Sequence, residues 1–326
     1  MKLIRNIQVP TGNILVVSGE KGNLEMLSIA DYGKDYNLNQ NKPVINDTPL
    51  LPLSEKWVIT ISTQYGCMIN CNFCDVPKVG KGINATDNDL LQQIITGLKL
   101  HPEIKETKRL NIHFARMGEP TFNYNVINVT TNLLKHLYPF IGYSLIHPVV
   151  STMMPVHNKK LKIFMDDWMF IKNHIYGGDA GIQLSINSTD ENERMQMFSG
   201  NSCTLEQISD MMKVYRPLGR KITLNFAIAD YTVDGAKLAK LFNPDHFICK
   251  LTPMHKTDTA LCNGIETVGD YTTPEPYQEI EQNLKDNGFE TLTFIASENE
   301  DLGRITCGNA ILSGTMPECD YKELTI

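Results

Sequence analysis

Cys67-Met68-Ile69-Asn70-Cys71-Asn72-Phe73-Cys74 is the stretch on which the reading of this chain turns. Its C-x3-C-x2-C spacing lets three thiols share one loop and turn toward one object. Cysteine thiolates are the usual ligands of iron–sulfur clusters, so the loop suits a 4Fe–4S cube. A structural zinc site would want a fourth ligand, usually from a second Cys or Cys/His pair, and no such pair occurs nearby. Disulfide frameworks belong to short secreted chains, whereas this chain has 326 residues. Three unrelated buried cysteines are the remaining bland alternative.

A cube has four irons, so three local ligands leave one iron open to a small molecule. S-adenosylmethionine suits that position, chelating through its amino and carboxylate groups. Its cleavage there gives a 5′-deoxyadenosyl radical. The loop therefore predicts two cofactors, a 4Fe–4S cluster and S-adenosylmethionine, with Cys67, Cys71 and Cys74 as metal ligands.

Composition limits the setting. The length is enough to bury a sizeable core in one large α/β domain with or without a small appendage. Hydrophobic content of 42% and charged content of 21% are ordinary for a soluble globular protein. Met1 to Pro10 has no apolar run of signal-peptide length, and no window approaches a membrane span. Eight cysteines fit a reducing cytoplasm. The net charge of −7 gives no global attraction for a polyanion and counts against an RNA substrate. The basic clusters Lys105–Arg109 and Lys159–Lys162 read as solvated faces or loops.

Residues 1–55 read as a small β-rich N-terminal segment. Asn13–Val17 and Asn23–Ile29 are candidate strands, and the Asn-, Asp-, Gly- and Pro-rich stretch from Asp31 to Pro52 reads as a surface linker. Residues 56–326 then alternate β-branched runs with segments of helical spacing. The runs begin at Trp57, Leu110, Tyr143, Gly181, Lys221 and His246, with a further one at Glu290. Such alternation predicts parallel strands with right-handed crossovers, as a partial (β/α)6 TIM-like barrel. Chemistry collects at the C-terminal ends of strands in such folds.

Small polar groups fall at those ends. Gly118-Glu119 follows the second strand, where a carboxylate beside a glycine can receive a ligand ammonium group. Ser151 ends the third strand and Ser185-Ile186-Asn187 the fourth, offering partners for a carboxylate and a ribose. His255, after the sixth, is placed to contact an adenine or ribose, or is simply a surface histidine. Each alone also reads as a turn or cap residue. Cys307, beside Gly308 in a loop near the C-terminus, is a candidate nucleophile or a small buried hydrophobe. Cys203, Cys249, Cys262 and Cys319 read as buried hydrophobes.

Together these residues resemble a family. Gln64-x-Gly66-Cys67-x3-Cys71-x2-Cys74, Met117-Gly118-Glu119-Pro120, Val150-Ser151-Thr152, Leu184-Ser185, Arg194 and Cys307-Gly308 stand in the order and near the intervals of the radical S-adenosylmethionine methyltransferases of the RlmN/Cfr type. The resemblance runs from about Trp57 to Gly314. It implies a cluster on Cys67, Cys71 and Cys74, and S-adenosylmethionine on Gly118, Glu119, Ser151 and Ser185 to Asn187. It also implies that Cys307 carries a methyl group to an sp2 carbon, in that family an RNA adenosine. A reductant such as flavodoxin or ferredoxin is implied as partner. The chain departs from the family at several points. Thr60 stands where the family has a second cysteine, Asn187 where it has histidine, and His255 where it has asparagine. Ser297–Asp301 replaces a basic segment, and the short β-type segment is expected in place of an RNA-binding domain. A radical enzyme abstracting hydrogen directly from a small molecule or peptide is the alternative, and an iron–sulfur sensor a third reading.

Overall fold

Strand-forming alternation at the N-terminus gives a meander of β1 (Lys2–Val9), β2 (Gly12–Gly19) and β3 (Gly22–Ala30), each antiparallel to the next. The computed structural model describes residues 1–31, 50–142, 144–267, 275–295 and 298–325. Most of the expected linker therefore lies outside the described residues. The meander does not stand apart, because β3 continues antiparallel onto β4 (Trp57–Ile61).

From β4 onward the β/α alternation holds. A hairpin of β5 (Gln64–Gly66) and β6 (Lys81–Asn84) encloses the cysteine loop. Then come α1 (Asp87–Leu98), β7 (Leu110–Phe114), α2 (Asn125–Ile141), β8 (Ile146–Thr152) and α3 (Leu161–Phe170). They are followed by β9 (Gly181–Ser185), α4 (Glu191–Met197), α5 (Leu205–Met212), β10 (Ile222–Ile228) and α6 (Gly235–Leu241). The chain continues through β11 (Phe247–Pro253), α7 (Asp258–Cys262), α8 (Glu275–Asp286), β12 (Glu290–Thr293), α9 (Glu298–Leu302) and β13 (Lys322–Glu323). Thr86 and Thr204 start α1 and α5 with reciprocal capping boxes, satisfying amides that would otherwise lack partners.

The strands form one sheet in the order β12-β11-β10-β9-β8-β7-β4-β3-β2-β1-β13. Seven consecutive members, β4 and β7 to β12, run parallel, one more than the six-unit expectation, with β12 as the extra strand. Among the described residues no pairing joins β12 back to β4, so the sheet is open. No helix among them is long and apolar enough to cross a membrane.

Strand alternation separates two faces. Ile112, Val150, Ile182, Leu184, Leu224, Cys249 and Leu251 are fully buried in the core formed with the helices. On the other face Thr60, His113, Ser151, Gln183, Ser185, Asn225 and Lys250 are only half-buried. Parallel sheets are normally covered and apolar on both sides. A polar open face on this one marks space left for something other than core.

Trp168 on α3 ties the helices to the sheet. It is fully buried, its Nε1 donates to the Gly181 carbonyl at 3.1 Å, and its ring meets Phe114 edge-on at 6.1 Å. Trp168→Ala is expected to lower stability by about 3–5 kcal/mol, while Ile163→Ala, at a 53% exposed site on the same helix, changes it by less than about 0.5 kcal/mol. Urea denaturation of the two variants checks this.

Candidate active site

The cysteine loop leaves β5 at the C-terminal ends of the parallel strands. Gly82 makes the approach possible: at φ +80°, a Cβ there would lie 2.2 Å from the Met68 amide. An apolar collar of Ile69, Met153, Met197 and Phe198 packs against Cys67 and Cys71. The three cysteines are half-buried as residues, yet their sulfurs are enclosed enough for burial to dominate their titration. Burial pushes the Cys67 thiol up to about 11. Burial, with Cys67, Asp75 and Cys307 nearby, pushes Cys74 up to about 12. Cys71 is raised well above its ordinary value by burial, then by Cys74, Cys67 and Glu119. Three enclosed sulfurs that feel one another fit the cluster that the spacing predicts, since iron supplies the positive charge that thiolates here otherwise lack. Among the described residues no three His, Cys, Asp or Glu side chains converge on a single metal ion. A cube asks for something else, one thiolate at each of three corners.

Glu119 lies beside the loop and is 5% exposed. Its Oε1 accepts from the Thr121 amide at 3.1 Å and the Thr121 hydroxyl at 2.8 Å, and its Oε2 from the Met153 amide at 3.1 Å. Burial raises its pKa, against the donors Thr152, Thr121 and Met153. No cationic side chain pairs with it among the described residues. A buried carboxylate so oriented suits an incoming ammonium group. Gly118 has a different reason from the expected one: at φ +93°, a Cβ would lie 2.5 Å from the Gln64 Cβ, so Gln64 rather than a ligand dictates the glycine.

The remaining strand-end residues divide. Ser151 and Ser185 are half-buried on the open face. Ile186 is fully buried in the core, so only its backbone faces the strand ends, donating to the Asn225 carbonyl at 2.9 Å. Asn187 sits at φ +61°, its Oδ1 accepting from the Ala227 amide at 3.0 Å and its Nδ2 3.2 Å from the Met197 sulfur. It braces β9 against β10. The Nδ1 of His255 lies 3.0 Å from Asp301 Oδ1, too poorly aligned for a hydrogen bond.

Cys307 is exposed, and its loop lies against the cysteine loop. The Gly308 carbonyl accepts from the Asp75 amide at 2.9 Å and lies 3.7 Å from the Cys74 sulfur. The buried Asp75 side chain in turn accepts from the Asp258 and Thr259 amides at 3.1 and 3.0 Å. Arg116, after β7, spans to the same loop. Its guanidinium donates to the Arg304 carbonyl at 2.7 Å and the Thr306 carbonyl at 3.3 Å. It is neutralised by Glu25 of β3, to which its Nε donates at 2.9 Å. Glu25 also accepts from the Ile311 and Leu312 amides at 3.3 and 3.0 Å. Both side chains are almost wholly buried, at 2% and 0% exposure.

Glu25 was invisible as a site residue in the sequence. An acidic residue inside Leu24-Glu25-Met26-Leu27 signals a buried charge, yet nothing local names a partner 91 positions away. Two expectations change. Cys262 is exposed rather than buried. In the acidic segment 297–301, residue 297 lies outside the described residues, but Asp301 is buried and structural. It accepts from the Thr306 hydroxyl at 2.6 Å and the Lys256 amide at 3.1 Å. Cys203 and Cys249 are buried as expected.

Removing one member of an enclosed ion pair strands the other. Glu25→Gln and Arg116→Met are each expected to cost about 3–5 kcal/mol, and the double variant Glu25→Leu/Arg116→Met to recover part of it. Both single variants should also speed alkylation of Cys307 by iodoacetamide, because its loop loses its anchor. Equal alkylation rates in wild type and both variants would remove this role.

No family model matches the chain. By sequence it is 27% identical over 137 residues to the dual-specificity RNA methyltransferase RlmN of Aliarcobacter butzleri. It is 28% identical over 204 residues, 60% of its length, to the probable RlmN of Pseudothermotoga lettingae. The chain spans 36% and 54% of the lengths of those relatives. A crystal structure of a radical SAM methyltransferase from Sphaerobacter thermophilus superposes with a TM-score of 0.63, covering 94% of this chain and 80% of the other at 18% identity. The cysteine loop, the enclosed glutamate and the Cys307 loop thus stand in a chain that shares the fold of a radical SAM methyltransferase and is a divergent relative, in sequence, of the RlmN-type enzymes.

Proposed function

We propose that this chain is a radical S-adenosylmethionine enzyme that methylates an sp2 carbon through Cys307. The observation that carries this reading is the contact between two loops more than two hundred residues apart, Gly308 against Cys74 and Asp75. In this reading residues 56–326 form a partial barrel whose interior is the open polar face, and residues 1–55 are a small β-rich N-terminal segment beside it. Cys67, Cys71 and Cys74 hold the cluster. Glu119 takes the ammonium group of S-adenosylmethionine. Ser151, Ser185 and the braced turn Ile186–Asn187 supply partners for its carboxylate and ribose, with His255 toward the adenine. When bound, cluster and cofactor supply a one-electron cleavage to a 5′-deoxyadenosyl radical, with the electron from a reductant such as flavodoxin or ferredoxin.

The residues of the chain then have separable tasks. The collar of Ile69, Met153, Met197 and Phe198 excludes water from the place where a radical would form. Cys307, which is exposed, would lose its thiol proton to solvent and take a methyl group from S-adenosylmethionine, which would leave as S-adenosylhomocysteine, while Arg116 and Asp301 hold its loop in register with Cys74. The family's substrate, an RNA adenosine, is one candidate. The net charge of −7 favours a small substrate instead. Free thiols throughout are consistent with a reducing cytoplasmic setting.

Thr60 supports a second reading. It stands half-buried on the open face, opposite His113, where the family has its second thiol. Without that thiol to resolve an adduct, direct hydrogen abstraction from a small molecule or peptide is the simpler chemistry.

The deciding experiment is anaerobic. Protein with reconstituted cluster is given reductant and S-adenosylmethionine, 5′-deoxyadenosine is measured, and the protein is weighed for a methyl group on Cys307. A methylated Cys307, absent in Cys307→Ala although 5′-deoxyadenosine persists, is expected. 5′-Deoxyadenosine with an unmodified Cys307 would select the second reading. No 5′-deoxyadenosine with any reductant would sink both.

A further inference from the structure

Charge is missing from three stretches of this chain. No Asp, Glu, Lys or Arg occurs in residues 67–74, 195–203 or 259–265, although charged residues make up 21% of the whole. The first stretch is the cysteine loop. The second runs from the end of α4 into the turn beyond it, and the third covers most of α7 and the turn that follows.

The fold brings all three together, and Asn72 is the stitch. Its amide donates to the Met197 carbonyl at 2.9 Å and its Nδ2 to the Gln196 carbonyl at 2.6 Å. Its own carbonyl accepts from Asn263 Nδ2 at 2.7 Å, and its Oδ1 from the Ser199 hydroxyl at 3.1 Å. The side-chain bonds among these lie at the surface. Large apolar side chains stand in solvent on the same segments: Met68 is 50% exposed, Met195 58% and Leu261 47%. Single exposed apolar residues are ordinary. Three on stitched, uncharged segments have the composition of an interface core, where charge is depleted and methionine enriched. Apolar surface with a polar rim marks an interaction site.

Two sides of this rim are basic. The exposed Lys81 starts β6, which pairs with the strand leading into the cysteine loop. The Val156 amide donates to the Asn201 carbonyl at 2.8 Å, within the second segment. Lys159 and Lys160 follow within a turn and are exposed, both from the cluster that the sequence suggests is a solvated face. Glu266, just past the third segment, is exposed too, so the basic edge lies beside the first two.

We propose that this face docks a small acidic electron-carrier protein of the ferredoxin type. The proposal rests on the radical-enzyme reading, in which the cysteine loop holds the cluster. The carrier gives up one electron, the cluster takes it, and no bond or proton changes hands. Redox encounters use small interfaces. Here apolar contact would hold the carrier while the lysines steer it.

Stopped-flow reduction of the anaerobic, cluster-loaded protein separates the face from the cluster. One arm uses a reduced 2Fe–2S ferredoxin of net negative charge, the other dithionite, and both follow bleaching of the cluster. Reduction by ferredoxin is expected to slow at least about tenfold in Met195→Glu/Leu261→Glu and in Lys159→Glu/Lys160→Glu, with dithionite rates unchanged. Added salt is expected to slow the ferredoxin arm in wild type and much less in the lysine variant. The substituted sites are exposed, so both variants should melt with wild type. No reduction of wild type by ferredoxin, or equal ferredoxin rates in wild type and both variants, overturns the docking face. A wild-type dimer that Met195→Glu/Leu261→Glu abolishes would overturn it as well, by giving the face to a second copy. A reconstituted protein without cluster absorbance would sink the radical-enzyme reading and the face with it, an outcome distinct from the others.

Discussion

The Glu25–Arg116 pair is the constraint on which the geometry of the site depends. Burying two charges is expensive, and the cost is met only when every remaining donor and acceptor is used. Here they are: the carboxylate takes the guanidinium and the Ile311 and Leu312 amides, and the guanidinium takes the Arg304 and Thr306 carbonyls. Three distant segments are thereby fixed relative to one another: the N-terminal meander, the turn after β7 that carries Glu119, and the loop that carries Cys307. The apolar cluster of Ile7, Val9, Ile14 and Leu27 with Ile305 and Ile311 closes over the same junction. The meander is therefore part of the site's foundation, although it supplies no residue that faces the strand ends.

The parallel sheet divides labour between its faces. One packs against the helices as continuous core, and the other carries the half-buried Thr60, His113, Ser151, Gln183, Ser185, Asn225 and Lys250. At the rim the groups are small and neutral, Ser151, Ser185 and the braced Asn187, beside one enclosed carboxylate, Glu119.

The legible part of this chain was the part written locally. C-x3-C-x2-C, the β/α alternation, and glycine or proline at strand ends are short-range patterns, and the strands and helices they predict stand within a few residues of the observed bounds. Cys307 drew notice as a loop thiol and through a family likeness, and its loop does lie against the cysteine loop. Glu25 and the structural use of Asp301 were not, since their partners come from other segments of the chain. Gly118 shows the subtler failure: the glycine was noticed, but its cause, the Gln64 side chain, is 54 positions earlier.

Pairing of β1 with β13 brings the two ends of the chain together, with Arg5 donating to Glu323 at 2.7 Å. Such contacts, among the longest-range that the chain possesses, close late because so much intervening chain must first be ordered. During synthesis the meander and the cysteine loop emerge well before the segment that satisfies Glu25 and lies against Cys74. The cysteine loop is thus covered only when a segment more than two hundred residues further along the chain closes over it.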